Sequence, residues 1–218
     1  MGGRDFRDRL RRRAAAANLP ITAELESSLE SFYRLLAKWN AKINLTAFEL
    51  SAEGDDSSID RLLIEPLVAV RHLPAKAQRW LDAGSGGGSP AIPMKLAHPA
   101  LTLHLVEAKT RKAAFLREAV RTLRLERTEV ETSRFEMLLT RPELHESIDI
   151  VTIRAVRLDA ATLTTLQAFL KGGGRLLHFR GSDRTVVDGI ALPMELIETH
   201  ALLKSNQSRL AIFRKIRT

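Results

Sequence analysis

Cysteine is absent from the 218-residue chain. Its absence excludes disulfides, thiolate metal sites and a cysteine nucleophile together. Long apolar runs are also missing. None approaches the ~20 residues needed to cross a bilayer, and the arginines of the opening segment MGGRDFRDRLRRR are not followed by the apolar run of a secretory signal. The six histidines, at positions 72, 98, 104, 145, 178 and 200, show no metal-ligand spacing, so no metal is expected. These absences point to a cytoplasmic protein without membrane association, and a monomer is expected.

What is present is enough apolar material for a full core, at 44% of residues, and an excess of positive charge. Thirty-four Lys and Arg stand against 26 Asp and Glu, a net charge of +8. Such an excess suits a polyanionic partner, and solvated surface charge is the competing explanation. The excess is concentrated at the ends of the chain. Arg4, Arg7, Arg9, Arg11, Arg12 and Arg13 face only Asp5 and Asp8, while Lys204, Arg209, Arg214, Lys215 and Arg217 have no acid among them.

Two patterns divide the chain. To about residue 75 it reads as helical, with Leu25, Leu29, Phe32, Leu36 and Trp39 forming one apolar stripe after Thr22. Ser51–Ser58 reads as a loop, and a second helical pattern through Leu62, Leu63, Leu67 and Val70 is interrupted at Pro66. From residue 79 short strands alternate with helices. Strands are expected at 79–83, 101–106, 128–132, 148–153, 175–179, 195–203 and 210–216. Helices are expected over 110–123 and over 158–170, the latter ended by Gly172–Gly174. This implies an α/β protein with a doubly wound, mostly parallel seven-stranded sheet, closed by an antiparallel C-terminal hairpin. Residues 1–75 form an N-terminal helical extension and 76–218 the ligand-binding domain.

The segment WLDAGSGGGSPAIP, Trp80–Pro93, carries the most chemistry. A strand delivers Asp82 into Gly84, Ser85, Gly86, Gly87 and Gly88 before a helix opens at Pro90. A phosphate-binding loop would need a lysine after the glycines, and a dinucleotide turn would need Gly or Ala where Ser89 stands. The pattern DxGxGxG of nucleoside-binding methyltransferases fits throughout. Glu107 ends the second strand, where an acid takes ribose hydroxyls in both methyltransferases and NAD-linked oxidoreductases. An oxidoreductase therefore stays open as an alternative.

With these residues in view, the chain resembles the ribosomal small-subunit methyltransferase G family, also called glucose-inhibited division protein B. The similarity runs from about Leu35 to the C-terminus. It is carried by WNAKINLTA (Trp39–Ala47), DAGSGGGSPAIP, KTRKAAFLREA (Lys109–Ala119), SRFE (Ser133–Glu136) and DIVTIRAV (Asp149–Val156). The resemblance implies a Rossmann-like class I methyltransferase that uses S-adenosylmethionine to methylate guanine N7 in small-subunit ribosomal RNA, free or in an assembling subunit. It implies cofactor contacts at Gly84, Ser89, Phe135, Glu136 and Arg154, beside Asp82, Gly86 and Glu107 from the turn and the acid after it, with adenine near Phe135 and Glu136 and the methionine end near Gly84 and Arg154. RNA contacts would fall on Arg111, Lys112, Arg134, Arg180 and Arg209, and catalytic roles on Arg154, Arg180 and Asn44. Three elements depart from the family pattern: GFPG is Gly88–Ser89–Pro90–Ala91, LKG is Phe179–Arg180–Gly181, and His-x-x-Asp-Ser is Leu62–Leu63–Ile64–Glu65–Pro66. An RNA-binding assembly factor without turnover remains the non-enzymatic alternative.

Guanine N7 carries a lone pair and no proton, so its methylation needs no general base. The missing cysteine, which carbon-5 pyrimidine methylation would use, agrees with this, as does the missing [DN]PP[YF] motif of exocyclic-amine methylation. Several of these residues have plainer readings. Trp39 and Phe32 lie on the apolar stripe and read as core. Arg111 and Lys112 open a helix, where cations oppose the dipole, and are either solvated or phosphate-bound. Asn44 could cap the turn before Leu45. Arg180 is expected at the carboxyl end of its strand, facing the target base or its phosphate.

Overall fold

The computed structural model describes residues 3–50, 55–181, 193–203 and 207–217. Its strands are β1 (Arg79–Ala83), β2 (Thr102–Val106), β3 (Thr128–Glu131), β4 (Ile148–Arg154), β5 (Leu170–Arg180), β6 (Met194–Ala201) and β7 (Arg209–Lys215). They form one sheet in the order β3-β2-β1-β4-β5-β7-β6. The first five run parallel, and β7 and β6 add an antiparallel hairpin at one edge. The helices are α1 (Gly3–Ala16), α2 (Ala23–Ile43), α3 (Ser57–Ile59), α4 (Glu65–Ala69), α5 (Ala91–Ala97), α6 (Thr110–Thr122) and α7 (Ala160–Phe169). Strand order reverses between β1 and β4, which opens a crevice at their carboxyl ends.

The stripe on α2 acts as its spacing predicts. Thr22 Oγ1 caps the helix by accepting from Leu25 N, and Leu29, Phe32 and Leu36 are buried. Each such side chain stabilises the fold by on the order of 2 kcal/mol. These residues join Phe6 and Leu10 of α1 and Trp80, Leu103 and Leu105 of the sheet in one apolar cluster. The opposite face packs Leu81, Val151 and Ile153 against Leu163, Leu166 and Phe169 of α7.

The structure corrects the reading of the N-terminal arginines. They sit on α1, and those whose side chains are described pair with acids of the same chain. Arg7 meets Glu30, Arg11 meets Glu26, Arg13 meets Asp60, and Arg9 holds Asp56 and the Asp55 carbonyl. Composition registered the excess of arginine, but only folding brought the paired acids to it. At the other end, Arg214 pairs with Glu195 and Lys215 with Glu146. Lys204 lies outside the described residues, as do residues 51–54 of the expected loop and the side chain of Arg4.

Two boundaries also move. Ser57 and Ser58 begin a helix instead of ending a loop, while Asp55 accepts from Ser57 N. The glycines after α7 fall inside β5, which starts at Leu170; a register shift between Ile148 and Ile150 of β4 accommodates them.

Candidate functional site

The glycine loop leaves β1 through a tight network. Gly84 N and Ser85 N donate to Val106 O, Ser85 Oγ donates to Asp82 O, and Gly88 N donates to Ser85 O. Pro90 occupies the cap position and α5 starts one residue later, at Ala91. Gly84 has φ +75°, and a Cβ there would lie 2.8 Å from Val156 Cγ2. Gly86 also has positive φ, but a Cβ on it would meet nothing nearer than Gly84 O at 3.8 Å. The loop is therefore closed toward the protein at Gly84 and open at Gly86. Glu107 braces it by accepting from Gly86 N at 2.9 Å and from Lys109 N at 2.7 Å. A carboxylate has about four acceptor positions, so it keeps capacity for a ligand.

Two cavities adjoin across this loop, sharing Gly84 and Glu107. The first, about 370 Å³, is lined by Val106, Lys109, Arg134, Phe135 and Glu136 besides those two. The second, about 540 Å³, is lined by the loop, Leu45–Phe48, Arg61, Leu62, Lys112, Arg154, Ala155 and Val156. Residues expected at the adenine end and residues expected at the methionine end thus come together on either side of one turn. Asn44 does not join them: it is exposed and terminates α2 with φ +52°. The NLT turn is held instead by Asn40, whose Oδ1 accepts from Leu45 N and Thr46 N. Arg180 and Arg209 are partners in register across β5 and β7, and neither lines the second cavity. Arg111 and Lys112 open α6, and Lys112 reaches the cavity.

Arg154 is 9% exposed and is held from three directions. Its Nη1 donates to Arg61 O at 2.5 Å and to Ser89 Oγ at 2.9 Å, and Nη2 meets Glu65 Oε2 at 3.1 Å. Its guanidinium carbon lies 4.6 Å from the centre of the Phe179 ring. The acceptors arise from a local defect in the helical segment. Between α3 and α4, Asp60–Ile64 is π-helical, and Glu65 N donates to Asp60 O. Arg61 O is thereby released from its α-helical donor and accepts from Arg154. Leu62 O would take the N–H of residue 66, but Pro66 has none, and Ser89 Oγ donates there at 2.8 Å. The helical interruption legible at Pro66 is in fact the socket for Arg154 and Ser89.

Electrostatics single out Asp82. Burial raises its carboxyl pKa to about 6, opposed chiefly by the Thr152 hydroxyl. Trp80 Nε1 donates to Thr152 Oγ1 at 2.9 Å, and Thr152 donates in turn to Asp82 Oδ1. Burial also lowers Arg154 to about 9, with Glu65 acting against it. Among the described residues, the buried side-chain atoms without a partner are Asp82 Oδ2 and Arg154 Nε. An orphaned carboxylate oxygen at the root of a glycine turn suits a cationic ligand whose own polar groups complete the network.

A family model described as rRNA small subunit methyltransferase G matches residues 25–204. This chain belongs to that family. Curated members include a Leuconostoc mesenteroides protein, 31% identical over 179 residues that span 80% of this chain and 74% of the relative. One from Neisseria meningitidis is 33% identical over 175 residues, 80% of each chain, and one from Dichelobacter nodosus is 41% identical over 147 residues, 67% of this chain and 65% of the relative. All three carry the name ribosomal RNA small subunit methyltransferase G. The fold recurs in a SAM-dependent methyltransferase from Aquifex aeolicus, with TM-score 0.54, 13% identity and coverage of 74% of this chain and 94% of that one. It recurs also in TrmN from Thermus thermophilus, with TM-score 0.52, 15% identity and coverage of 69% and 49%. The protein is thus an S-adenosylmethionine-dependent methyltransferase of small-subunit ribosomal RNA. Family membership overturns the oxidoreductase alternative for the glycine loop. The matched region begins within α2, so α1 and its arginine pairs lie outside it.

Sequence reasoning missed Glu65, Arg61, Asn40 and Ala155 as parts of the site. Glu65 carried a signal, as the only acid in LLIEPLVAV. Ala155 carried none: it takes φ +56° directly after β4, a backbone state visible only in the folded chain.

Proposed function

We propose that the chain methylates N7 of a guanine in small-subunit ribosomal RNA, binding the donor across the glycine turn and the target base over the second cavity. The adenosine half of S-adenosylmethionine is assigned to the cavity of Phe135 and Glu136, with Glu107 at the ribose. The methionine half is assigned to Gly84, Gly86 and Asp82. When bound, the donor supplies a methyl group activated by a sulfonium. The chain's residues then orient, desolvate and neutralise. Asp82 offers its unpartnered oxygen to positive charge, while Arg154 and Ser89 fix the loop. Leu45–Phe48 and Leu36 form a wall against water.

The observation that carries the N7 assignment is the inventory of the second cavity. Its ionisable lining is Arg61, Glu107, Lys112 and Arg154. Three are cations, and Glu107, braced by two backbone N–H groups, has its remaining acceptor positions assigned to the ribose. Nothing there is poised to remove a proton, and N7 has none to lose. In-line attack requires mainly alignment and exclusion of water. Lys112, Arg111 and Arg134 enter no ion pair among the described residues; Lys112 and Arg134 line the cavities and Arg111 adjoins Lys112 in the first turn of α6, so they are assigned to RNA phosphates, with Arg180 and Arg209 as further contacts.

Residues 76–218 are assigned to the cofactor domain, and residues 1–75 to an extension that walls the base entry. We infer a cytoplasmic monomer acting on the assembling small subunit. The test is transfer of labelled methyl groups to small subunits from cells lacking the protein, followed by nucleoside analysis. Label in 7-methylguanosine is the expected result. Label in another nucleoside would overturn the target atom. Tight binding without incorporation would leave an assembly factor.

A further inference from the structure

Away from the glycine loop, folding gathers His72, Glu198 and His200. His72 ends the 3₁₀ turn Val70–His72 that follows α4. Glu198 and His200 are two apart on β6, so they project from the same side of the strand. The imidazoles stack with centroids 4.0 Å apart and planes at 30°. His200 Nε2 lies 2.6 Å from Glu198 Oε2, and one donor atom from each of the three residues falls within 4.8 Å of the others. We propose that these three side chains form a binding site for a late first-row divalent cation, best represented by Zn²⁺.

The donor set decides the class of ion. Two imidazoles and a carboxylate match zinc, leaving a fourth position to water, whereas Mg²⁺ and Ca²⁺ prefer oxygen throughout. With metal–nitrogen distances of about 2.0–2.1 Å, the donor atoms need to close only modestly from their present separation. Charge sets a bound on affinity. Arg71 and Arg175 both act on His72. Their guanidiniums are held at backbone oxygens, Arg71 Nε at Val68 O and Arg175 Nη1 at His72 O, each at 3.0 Å. Glu198 supplies the negative charge that offsets them.

The consequence is mechanical. β6 is an edge strand, and His72 closes the helical segment that carries Arg61 and Glu65. A cation bound here ties that segment to the β6–β7 hairpin, where Ser208 Oγ already accepts from Arg61 Nη1 at 2.6 Å. The site is not legible as histidine spacing in the sequence, because His72 stands 126 residues before Glu198 and only folding brings it to β6.

The test is calorimetric titration of metal-free full-length protein with ZnCl₂, and separately with MgCl₂. One equivalent of Zn²⁺ should bind saturably and raise the melting temperature, with no comparable response to Mg²⁺. His72→Ala, His200→Ala and Glu198→Gln should each weaken Zn²⁺ binding at least about tenfold, and His98→Ala should leave it unchanged. Glu198 is exposed, so Glu198→Gln keeps the comparison available should His72→Ala fail to fold. Absence of saturable Zn²⁺ binding, or binding indifferent to both His200→Ala and Glu198→Gln, overturns the site.

Discussion

Arg154 Nη2 and Glu65 Oε2 meet at 3.1 Å, between a carboxylate with no exposed surface and a guanidinium at the end of β4. Arg61 Nη1 reaches the same Glu65 oxygen at 2.8 Å. One buried acid thus serves two cations at the carboxyl edge of the sheet.

Removing that charge should be severe. Glu65→Gln removes the anion that Arg154 and Arg61 share, and breaking a buried pair typically costs about 3–5 kcal/mol. Urea unfolding should show a loss of that order, and methyl transfer should fall with it. Glu65→Asp, which keeps the charge on a shorter stem, should recover part of both. A Glu65→Gln variant of wild-type stability and rate would contradict the role of this pair.

Asp82 makes stability and cofactor binding respond to pH in opposite directions. Its pKa rises from 3.8 to about 6 on folding, so the folded protein holds this proton more tightly than the unfolded chain. That stabilising contribution is complete below about pH 4 and is lost as pH rises through about 6, a change of about 3 kcal/mol. Asp82→Asn carries no such term. Its stability relative to wild type should therefore increase between pH 4 and pH 7, as measured by denaturant titration at the two values. Affinity for the cationic donor should instead improve as Asp82 ionises in wild type, and it should lose that dependence in the variant.

Gly86→Val separates ligand binding from folding. Space for a Cβ is open, but φ is +52°, a region unfavourable for a β-branched residue. The variant should fold with a loss of about 1–3 kcal/mol and no measurable affinity for S-adenosylmethionine. Calorimetry showing unchanged affinity in the folded variant would move the cofactor away from this turn.

Salt dependence should distinguish the two groups of basic residues. Each phosphate neutralised contributes about 0.7–0.9 to the slope of log affinity against log salt. Lys112→Ala and Arg134→Ala should each lower the slope for RNA by roughly that amount. Arg7→Ala and Arg11→Ala should leave the slope unchanged and lower stability, because their partners Glu30 and Glu26 are in the same chain. A reduced RNA slope in the α1 variants would reverse this assignment.

Local pattern determined much of this protein on its own. The stripe from Leu25 to Trp39, the alternating strands and the turn from Asp82 to Gly88 record short-range periodicity and backbone needs, which hold wherever the segment sits. They carried the sheet, its closing hairpin and the glycine turn. The tertiary structure alone decided which charges remain for a partner, since an arginine looks the same in sequence whether Glu26, Glu30 and Asp60 come to meet it or water does. It also decided what Pro66 and Glu65 do. Pro66 reads locally as a break in a helix, but in the folded chain it leaves Leu62 O free for Ser89, while the π-turn releases Arg61 O to Arg154. Those partners lie far apart in sequence, and burial makes each unmatched polar group costly enough to require them.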